Sequence, residues 1–455
     1  MKKTLMQLAQ EEEQNYSSPI VAAKINGEVR DIQSEYDHDD EISFIELNTS
    51  LGWRIYQRSI LFLFIVTVSN MNKEAEVVAK FTVNKGLYCE VKIPGKSINA
   101  HLIHDIEQEM REMIANNTPI VKHSIPRQEA IELFQTRGNR GKAALIASLP
   151  HPMISIYTCR NYPDYLYGAM LPETKLLGQF ALDVEQSGVL IRTPDEMTDG
   201  KIRTRVEQPK FEHILSEAKE WARILECPYI SDLNQINNEH RMGELIRISE
   251  ALQEKRIAQI ADHIASHRNN IRLILIAGPS SSGKTSFAQR LRIQLRVNGL
   301  HPIMISLDDY FLNREDTPRN EKGQYDYESI DAIDTALFNR NMLELLNGHR
   351  VQIPYYNFIT GKREWHDDNF LLMKEDQPII IEGIHGLNER LTADIARKNK
   401  YKIYISALTQ LNIDAHNRIP TTDVRFLRRL VRDHQFRGAK AIKTIKQWPD
   451  VRAGE

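Results

Sequence analysis

Cysteine is scarce in this chain of 455 residues: Cys89, Cys159 and Cys227 lie far apart and are odd in number. That excludes a disulfide framework and offers no metal-ligand spacing. Isolated thiols in a reducing compartment are the expectation. No apolar stretch follows Met1-Lys-Lys-Thr-Leu-Met-Gln-Leu, so no secretory signal is read. The greasiest run, Ile60 to Val68, is about half of the ~20 residues that a membrane span needs. It predicts a buried helix or strand, no membrane contact and a cytoplasmic protein. An excess of charge of either sign is also lacking. The formal net charge is -2, which argues against a broad basic surface for nucleic acid. There is no internal repeat and no low-complexity tract.

What is present is an ordinary globular composition in a chain long enough for two to four domains. Ile20–Ile25 and Glu28–Ile32 flank Asn26-Gly27, a hairpin signal within a small β-rich module over residues 1–49. A mixed α+β region follows over residues 50–230. Helices are expected at Leu102–Ala115 and from Pro126 to Phe134, and strands at Met153–Tyr157 and Gly188–Arg192. Residues 231–269 read as one connecting helix, almost unbroken from Ile236 to His267. From residue 270 to 455 the rhythm becomes strand, loop, helix. The runs Ile271–Ala277, Pro302–Leu307, Pro378–Ile381 and Tyr401–Ala407 suit strands buried on both faces. The fold class is therefore α/β, with a doubly wound parallel sheet in the C-terminal half.

Gly278-Pro-Ser280-Ser281-Ser282-Gly283-Lys284-Thr285 matches G-x-x-x-x-G-K-[ST] between a buried strand and a helix. Small residues let successive backbone N–H groups curl round phosphate oxygens, and the following helix adds its positive end. Lys284 would supply charge to the β- and γ-phosphates, with Ser286 beside it, and Thr285 would reach Mg²⁺. A serine-rich turn before a helix is the competing explanation. The second strand ends at Asp308-Asp309. Either carboxylate could take a proton from an attacking hydroxyl or attend Mg²⁺, and a turn or helix cap would use the same residues. Glu382 ends the third strand, where a magnesium or water contact belongs. Arg425, Arg428, Arg429 and Arg432 recur at helical spacing before Arg437-Gly438, which suits a phosphate lid as well as a solvated basic helix.

In this order, Gly278–Thr285, Leu307-Asp-Asp-Tyr-Phe311, Tyr356-Asn-Phe358, Ile381-Glu-Gly-Ile384 and Arg425–Gly438 resemble the uridine kinase and phosphoribulokinase family. The resemblance implies ATP and Mg²⁺ as cofactors and Asp308 as general base on a nucleoside 5′-hydroxyl. It puts Thr285 and Glu382 at the metal. Tyr310, Tyr356, Phe358 and Arg425 fall with the substrate, and Glu328 near the ribose hydroxyls. Arg428, Arg429, Arg432 and Arg437 form the lid, with Arg429 acting in catalysis. Uridine-cytidine kinases carry a base-reading histidine shortly after the Tyr-x-Phe piece. Gly361 stands there in this chain, with His366 a few residues later. The family also continues beyond the point matching Glu455, into a strand and helix near the adenine.

The first half resembles threonyl-tRNA synthetases, through Ala22–Ile32 for a late-starting β-grasp TGS domain. Arg127–Phe134, Ile154–Tyr157 and Pro172-Glu-Thr174 do the same for the editing-like domain. That domain's His-x-x-x-His and Cys-x-x-x-His pairs correspond to Arg58 with Phe62 and Leu166 with Met170. These four side chains neither bind zinc in the usual way nor do acid–base work, so no editing and no metal are expected. The leading expectation is an ATP-dependent nucleoside kinase. The alternatives are a kinase of another small alcohol or sugar, and a nucleotide-switched RNA-binding or regulatory protein, which the near-neutral charge disfavours. A homo-oligomer is open.

Overall fold

The computed structural model describes residues 4–453, apart from 84–85, 186–187, 207–208, 321–322, 375–376 and 408–410. The chain divides into two compact units. The first comprises Met1–Arg241 together with Gln410–Ile419, and the second Met242–Thr409 with Pro420–Glu455.

The first unit opens with α1 (Leu5–Glu12) and an antiparallel sheet of β1 (Ile20–Ile25), β2 (Glu28–Asp31) and β3 (Ile42–Glu46), in the order β2-β1-β3. Asn26 at φ 52° and Gly27 at φ 85° make the tight turn that Asn-Gly favours. The run Ile60–Val68 lies within a helix, α2 (Ser50–Met71). Its apolar residues are buried all round, so no amphipathic stripe marked it as helical. By length and composition it could cross a membrane, but 72% of its apolar window is buried inside the protein. Thr49 caps it by accepting a hydrogen bond from the Gly52 N–H at 3.1 Å. A Cβ at Gly52 would stand 2.2 Å from the Glu46 carbonyl oxygen, so only glycine fits this entry.

Then come β4 (Glu76–Val83), β5 (Gly86–Lys92), α3 (Ala100–Ala115), β6 (Ile120–Pro126), α4 (Arg127–Thr136) and α5 (Arg140–Ser148). They lead to β7 (Met153–Cys159), β8 (Tyr162–Asp164), β9 (Ala181–Glu185), β10 (Gly188–Arg192), α6 (Pro209–Leu225) and α7 (Ile230–Asn238). An antiparallel sheet β4-β5-β10-β9 and a smaller β6-β7-β8 sheet result. Val21, Ala22 and Ile45 of the opening module share one core with Phe62, Phe64 and Met110.

The expected single connecting helix is two helices. After α7 the chain turns at Glu239–Arg241, with His240 at φ 58°, and restarts as α8 (Met242–Ser266). The nearest glycine, Gly243, lies after the turn, in the first turn of α8. Helix α8 packs into the second unit: Ile257, Ala261 and Ile264 are buried with Leu291 and Leu295 in its core.

The second unit continues with β11 (Leu273–Ala277), α9 (Lys284–Val297), β12 (Ile303–Ser306), α10 (Thr335–Leu346), β13 (Val351–Gln352), β14 (Tyr355–Asn357) and β15 (Lys362–Glu364). After these come β16 (Phe370–Leu371), β17 (Ile379–Glu382), β18 (Lys400–Tyr404), α11 (Thr421–Arg437) and α12 (Ala441–Ala453). The main sheet is parallel, in the order β12-β17-β11-β18. Every residue of β11 is buried, as its unbroken apolar run requires. All the expected kinase-side residues belong to this unit, and the strand tips of β11, β12 and β17 carry several of them.

Candidate functional site

The loop between β11 and α9 is shaped by its backbone. Gly278 lies at φ 156°, and a Cβ there would come within 2.2 Å of the Ile405 carbonyl oxygen. Gly283 caps α9 in the left-handed region at φ 101°. Ser281 also has positive φ, at 61°, a strained setting for a non-glycine residue. The Ser281 and Ser282 hydroxyls are buried without a hydrogen-bond partner among the described residues. Buried polar atoms left unmatched are costly, and a concave loop with free donors at a helix N-terminus suits an anion such as a polyphosphate. The observed loop thus fits the nucleotide that its sequence pattern implies.

Around it gather the titratable groups. Lys284 donates a 3.4 Å hydrogen bond to the Pro279 carbonyl, and burial holds its ammonium below the usual lysine range. Thr285 Oγ1 donates to Glu382 Oε1 at 2.9 Å, joining the start of α9 to the tip of β17. This hydroxyl–carboxylate pair is a hard oxygen set, suited to Mg²⁺. Among the described residues, no group of three His, Cys, Asp or Glu side chains is arranged as a metal cage. A Mg²⁺ held jointly with substrate phosphates does not need one.

The two adjacent aspartates part company. Asp309 Oδ1 accepts from the Tyr356 backbone N–H at 3.4 Å, which ties it to β14. Asp308 keeps a solvent-exposed face. Its carboxyl is pushed up to about 6, first by the protein packed around it and next by the charge of Glu382, with Lys284 opposing.

Helix α11 brings its arginines to the same loop. Arg425 donates through Nε and Nη2 to the Ser280 carbonyl at 3.1 and 3.0 Å, Arg428 Nε to the Ser281 carbonyl at 3.1 Å, and Arg429 Nη1 to Ser280 Oγ at 2.8 Å. Arg425, expected with the substrate, is thus seated on the phosphate loop. Its planar fork matches one carbonyl with two donors. Burial holds Arg429 below the usual arginine range. Arg432 donates to Asp433 Oδ1 at 2.8 Å, and Arg437 approaches that oxygen at 4.0 Å. Sequence reasoning missed Asp433 as the organiser of this cluster, although its spacing of four from Arg429 and Arg437 was a legible signal.

The acceptor-side residues are brought together only in part. Tyr356 and Phe358 meet edge to face at 5.1 Å, and Phe311 packs on both. Phe358 is 61% exposed and available to a ligand. Tyr310 departs from the expectation. It is fully buried in the core, edge-on to Phe338, and its hydroxyl accepts from Asn341 Nδ2 at 3.2 Å. It supports the wall from behind, because a residue following Asp309 in a tight turn points inward. The charge of Glu328 is felt by Lys284 and Arg429, so its carboxylate belongs to this region. His366 stacks edge-on against Tyr355, the neighbour of Tyr356 on β14, and successive strand residues point to opposite faces. It therefore does not join the Tyr356–Phe358 cluster.

Comparison with known proteins agrees with this geometry. The model of the phosphoribulokinase / uridine kinase family matches residues 273–453. A uridine kinase of Staphylococcus haemolyticus is 30% identical over 182 residues, covering 40% of this chain and 78% of the relative. The chain belongs to the phosphoribulokinase / uridine kinase family. A uridine kinase of Saccharomyces cerevisiae is 33% identical over 178 residues, covering 39% of this chain and 32% of its own length. A threonine–tRNA ligase of Clostridioides difficile is 24% identical over 226 residues, covering 48% of this chain and 35% of its own length. This chain spans about a third of these last two relatives. The second unit is accordingly a P-loop kinase domain, preceded by a threonyl-tRNA synthetase-like region.

In that region Phe62, Leu166 and Met170 are all buried. Arg58 donates to the Ala169 carbonyl, with its guanidinium pressed against Gly168, where a Cβ would lie 2.8 Å from Cζ.

Proposed function

We propose that the second unit transfers the γ-phosphate of ATP to the 5′-hydroxyl of a nucleoside of the uridine or cytidine type. The observation that carries this reading is Asp308, an accessible carboxylate with a proton affinity near neutrality, beside the loop bearing Lys284 and opposite Glu382. A base poised near the working pH takes a hydroxyl proton as the oxygen attacks. Lys284 and the backbone N–H groups of the loop hold the β- and γ-phosphates. Arg425 and Arg428 on loop carbonyls, and Arg429 on the Ser280 hydroxyl, can exchange these partners for phosphate oxygens as negative charge develops. Mg²⁺, held by Thr285 and Glu382, would supply further neutralisation of phosphate charge. Phe358 and Tyr356 offer an aromatic wall for a planar base.

A second reading keeps the chemistry and changes the acceptor. Gly361 lies at φ 71° with the Arg314 guanidinium against it, so close that a Cβ would approach Nε to 2.6 Å. An arginine therefore borders the aromatic cluster, which suits a more polar acceptor than a pyrimidine nucleoside.

The test is incubation with ATP, Mg²⁺ and a panel of nucleosides, sugars and small alcohols, with detection of ADP and phosphorylated product. Product from uridine or cytidine supports the first reading, and product from another acceptor alone supports the second. Turnover at the water-hydrolysis background with every acceptor would overturn both.

A further inference from the structure

Helix α11 carries a charged stripe. Arg425, Arg429 and Asp433 follow one another at a spacing of four, so they share one side of the helix. At one end the stripe meets the phosphate loop, with Arg425 on the Ser280 carbonyl and Arg429 Nη1 on Ser280 Oγ. At the other end it meets α12. Asp433 is only 4% exposed there, and an anion so enclosed needs partners. Arg432 donates to its Oδ1 from Nε and Nη2, at 3.1 and 2.8 Å. Thr444 Oγ1, itself buried on α12, donates to Oδ2 at 3.2 Å. Arg429 Nε stands 3.4 Å from the same Oδ2. The Asp433 carbonyl accepts from the Ala439 N–H at 3.0 Å. Burial raises the Asp433 carboxyl, but the neighbouring arginines outweigh it and hold the group below the usual carboxylate range.

Arg429 is therefore held at two points. Its Nη1 reaches the phosphate loop while its Nε faces Asp433, and little of its side chain is exposed. The carboxylate is fixed in turn from α12. That helix grips α11 a second time through Trp448, one turn beyond Thr444. The Trp448 ring lies 5.3 Å from Phe426 and 5.6 Å from the Arg425 guanidinium. Arg432, expected at the phosphates, spends two donors on Asp433 and helps to fix it. An arginine loses much rotamer freedom when it is ordered, and a preset carboxylate meets that cost before any reaction begins.

We propose that Asp433 is a positioning residue for phosphoryl transfer: it aims Arg429 at the phosphate loop, where the negative charge of the transferring group develops. The inference rests on the phosphotransfer reading above. A carboxylate would repel a phosphate, so Asp433 acts through Arg429 and not on the nucleotide.

A double-variant cycle in the full chain tests it. Asp433→Asn removes the charge. Asp433→Glu keeps the charge and moves the carboxylate by one methylene, which serves if the first variant does not fold. Each is made alone and together with Arg429→Met. The first readout needs no acceptor. It is the calorimetric affinity for ADP with Mg²⁺ and aluminium fluoride, a mimic of the transferring phosphoryl group, measured beside the affinity for ATP. Asp433→Asn is expected to weaken the mimic about 10- to 100-fold and ATP by no more than about threefold, with Asp433→Glu near the lower figure. In the Arg429→Met background the same substitutions are expected to change mimic affinity by no more than about twofold. The second readout, kcat with a phosphorylated acceptor, should follow the mimic. Wild-type affinity for the mimic in folded Asp433→Asn would overturn the inference, and where that variant does not fold the same result in Asp433→Glu would do so. Equal weakening with and without Arg429 would overturn it too, because Asp433 would then act by another route. So would equal weakening of mimic and ATP, the mark of a structural role alone, or a mimic that the unaltered protein binds no more tightly than ADP. If the unaltered protein binds the mimic tightly and phosphorylates no acceptor, the proposed function fails and the cycle still decides the role of Asp433.

Discussion

The two units treat their side chains in opposite ways at two places. In the synthetase-like unit, Phe62, Leu166 and Met170 are buried, and Arg58 spends a donor on the Ala169 carbonyl. In the kinase unit, the loop at Gly278–Thr285 keeps two buried serine hydroxyls without partners among the described residues, and burial shifts Lys284, Asp308 and Arg429 nearby from their ordinary proton affinities. Buried hydroxyls left unmatched in a phosphate-type loop point to a ligand, and shifted ionisable groups gathered beside them point the same way. That contrast says more than either fold, since a fold alone does not specify chemistry.

The contrast can be broken most severely at the kinase site. Lys284→Met is expected to lower kcat by about 10²–10³-fold, the effect of removing one preorganised charge donor. Phosphate-transfer rates at saturating ATP check it. Gly278→Ala should weaken nucleotide binding by about tenfold or more, roughly 1.4 kcal/mol, because the added Cβ collides with the Ile405 carbonyl. Calorimetric titration with ATP reads this directly.

The buried cluster around Phe62 should behave as core. Phe62→Ala is expected to cost ~3–5 kcal/mol of stability in denaturant unfolding, as loss of a buried ring does. The folded protein should still transfer phosphate. A large loss of kcat in the still-folded variant would contradict the reading of this place as core alone.

A pH profile sharpens the site further. The Asp308 carboxyl is raised to about 6, so its base form is lost as the pH falls through that value. The acid limb of kcat/KM should therefore bend near 6, activity rising toward higher pH. The same raised affinity means that the folded state holds this proton more tightly than the unfolded chain. Asp308 thus favours folding below its folded value and ceases to do so as the pH climbs through it. The smallest effect belongs to His366→Ala, expected to leave the acceptor KM unchanged to within about twofold, because His366 packs on Tyr355 away from the cluster.

Much of this was readable from local pattern. Asn26-Gly27 signals its hairpin because few residues tolerate the turn, and the phosphate loop is legible because its backbone dictates glycine at 278 and 283. Ile60–Val68 was ambiguous between helix and strand because burial on every side erases periodicity. The break at His240 left no trace, since a lone left-handed residue needs no glycine. The choice between Asp308 and Asp309 turns on which side chain faces β14, a non-local fact. The placement of 411–419 in the first unit was least visible of all. It depends on Lys142 and Asp164, more than 240 residues earlier in sequence.

The proposed chemistry turns on Asp308 taking the acceptor's proton in a site built to hold ATP. Single-turnover phosphate transfer by Asp308→Asn, with ATP affinity measured on the same sample, tests it most directly. The account predicts a transfer rate lower by about 10²–10⁴-fold with ATP binding retained, and loss of the acid limb near 6. Transfer at the wild-type rate by Asp308→Asn would contradict it and move the base to another residue.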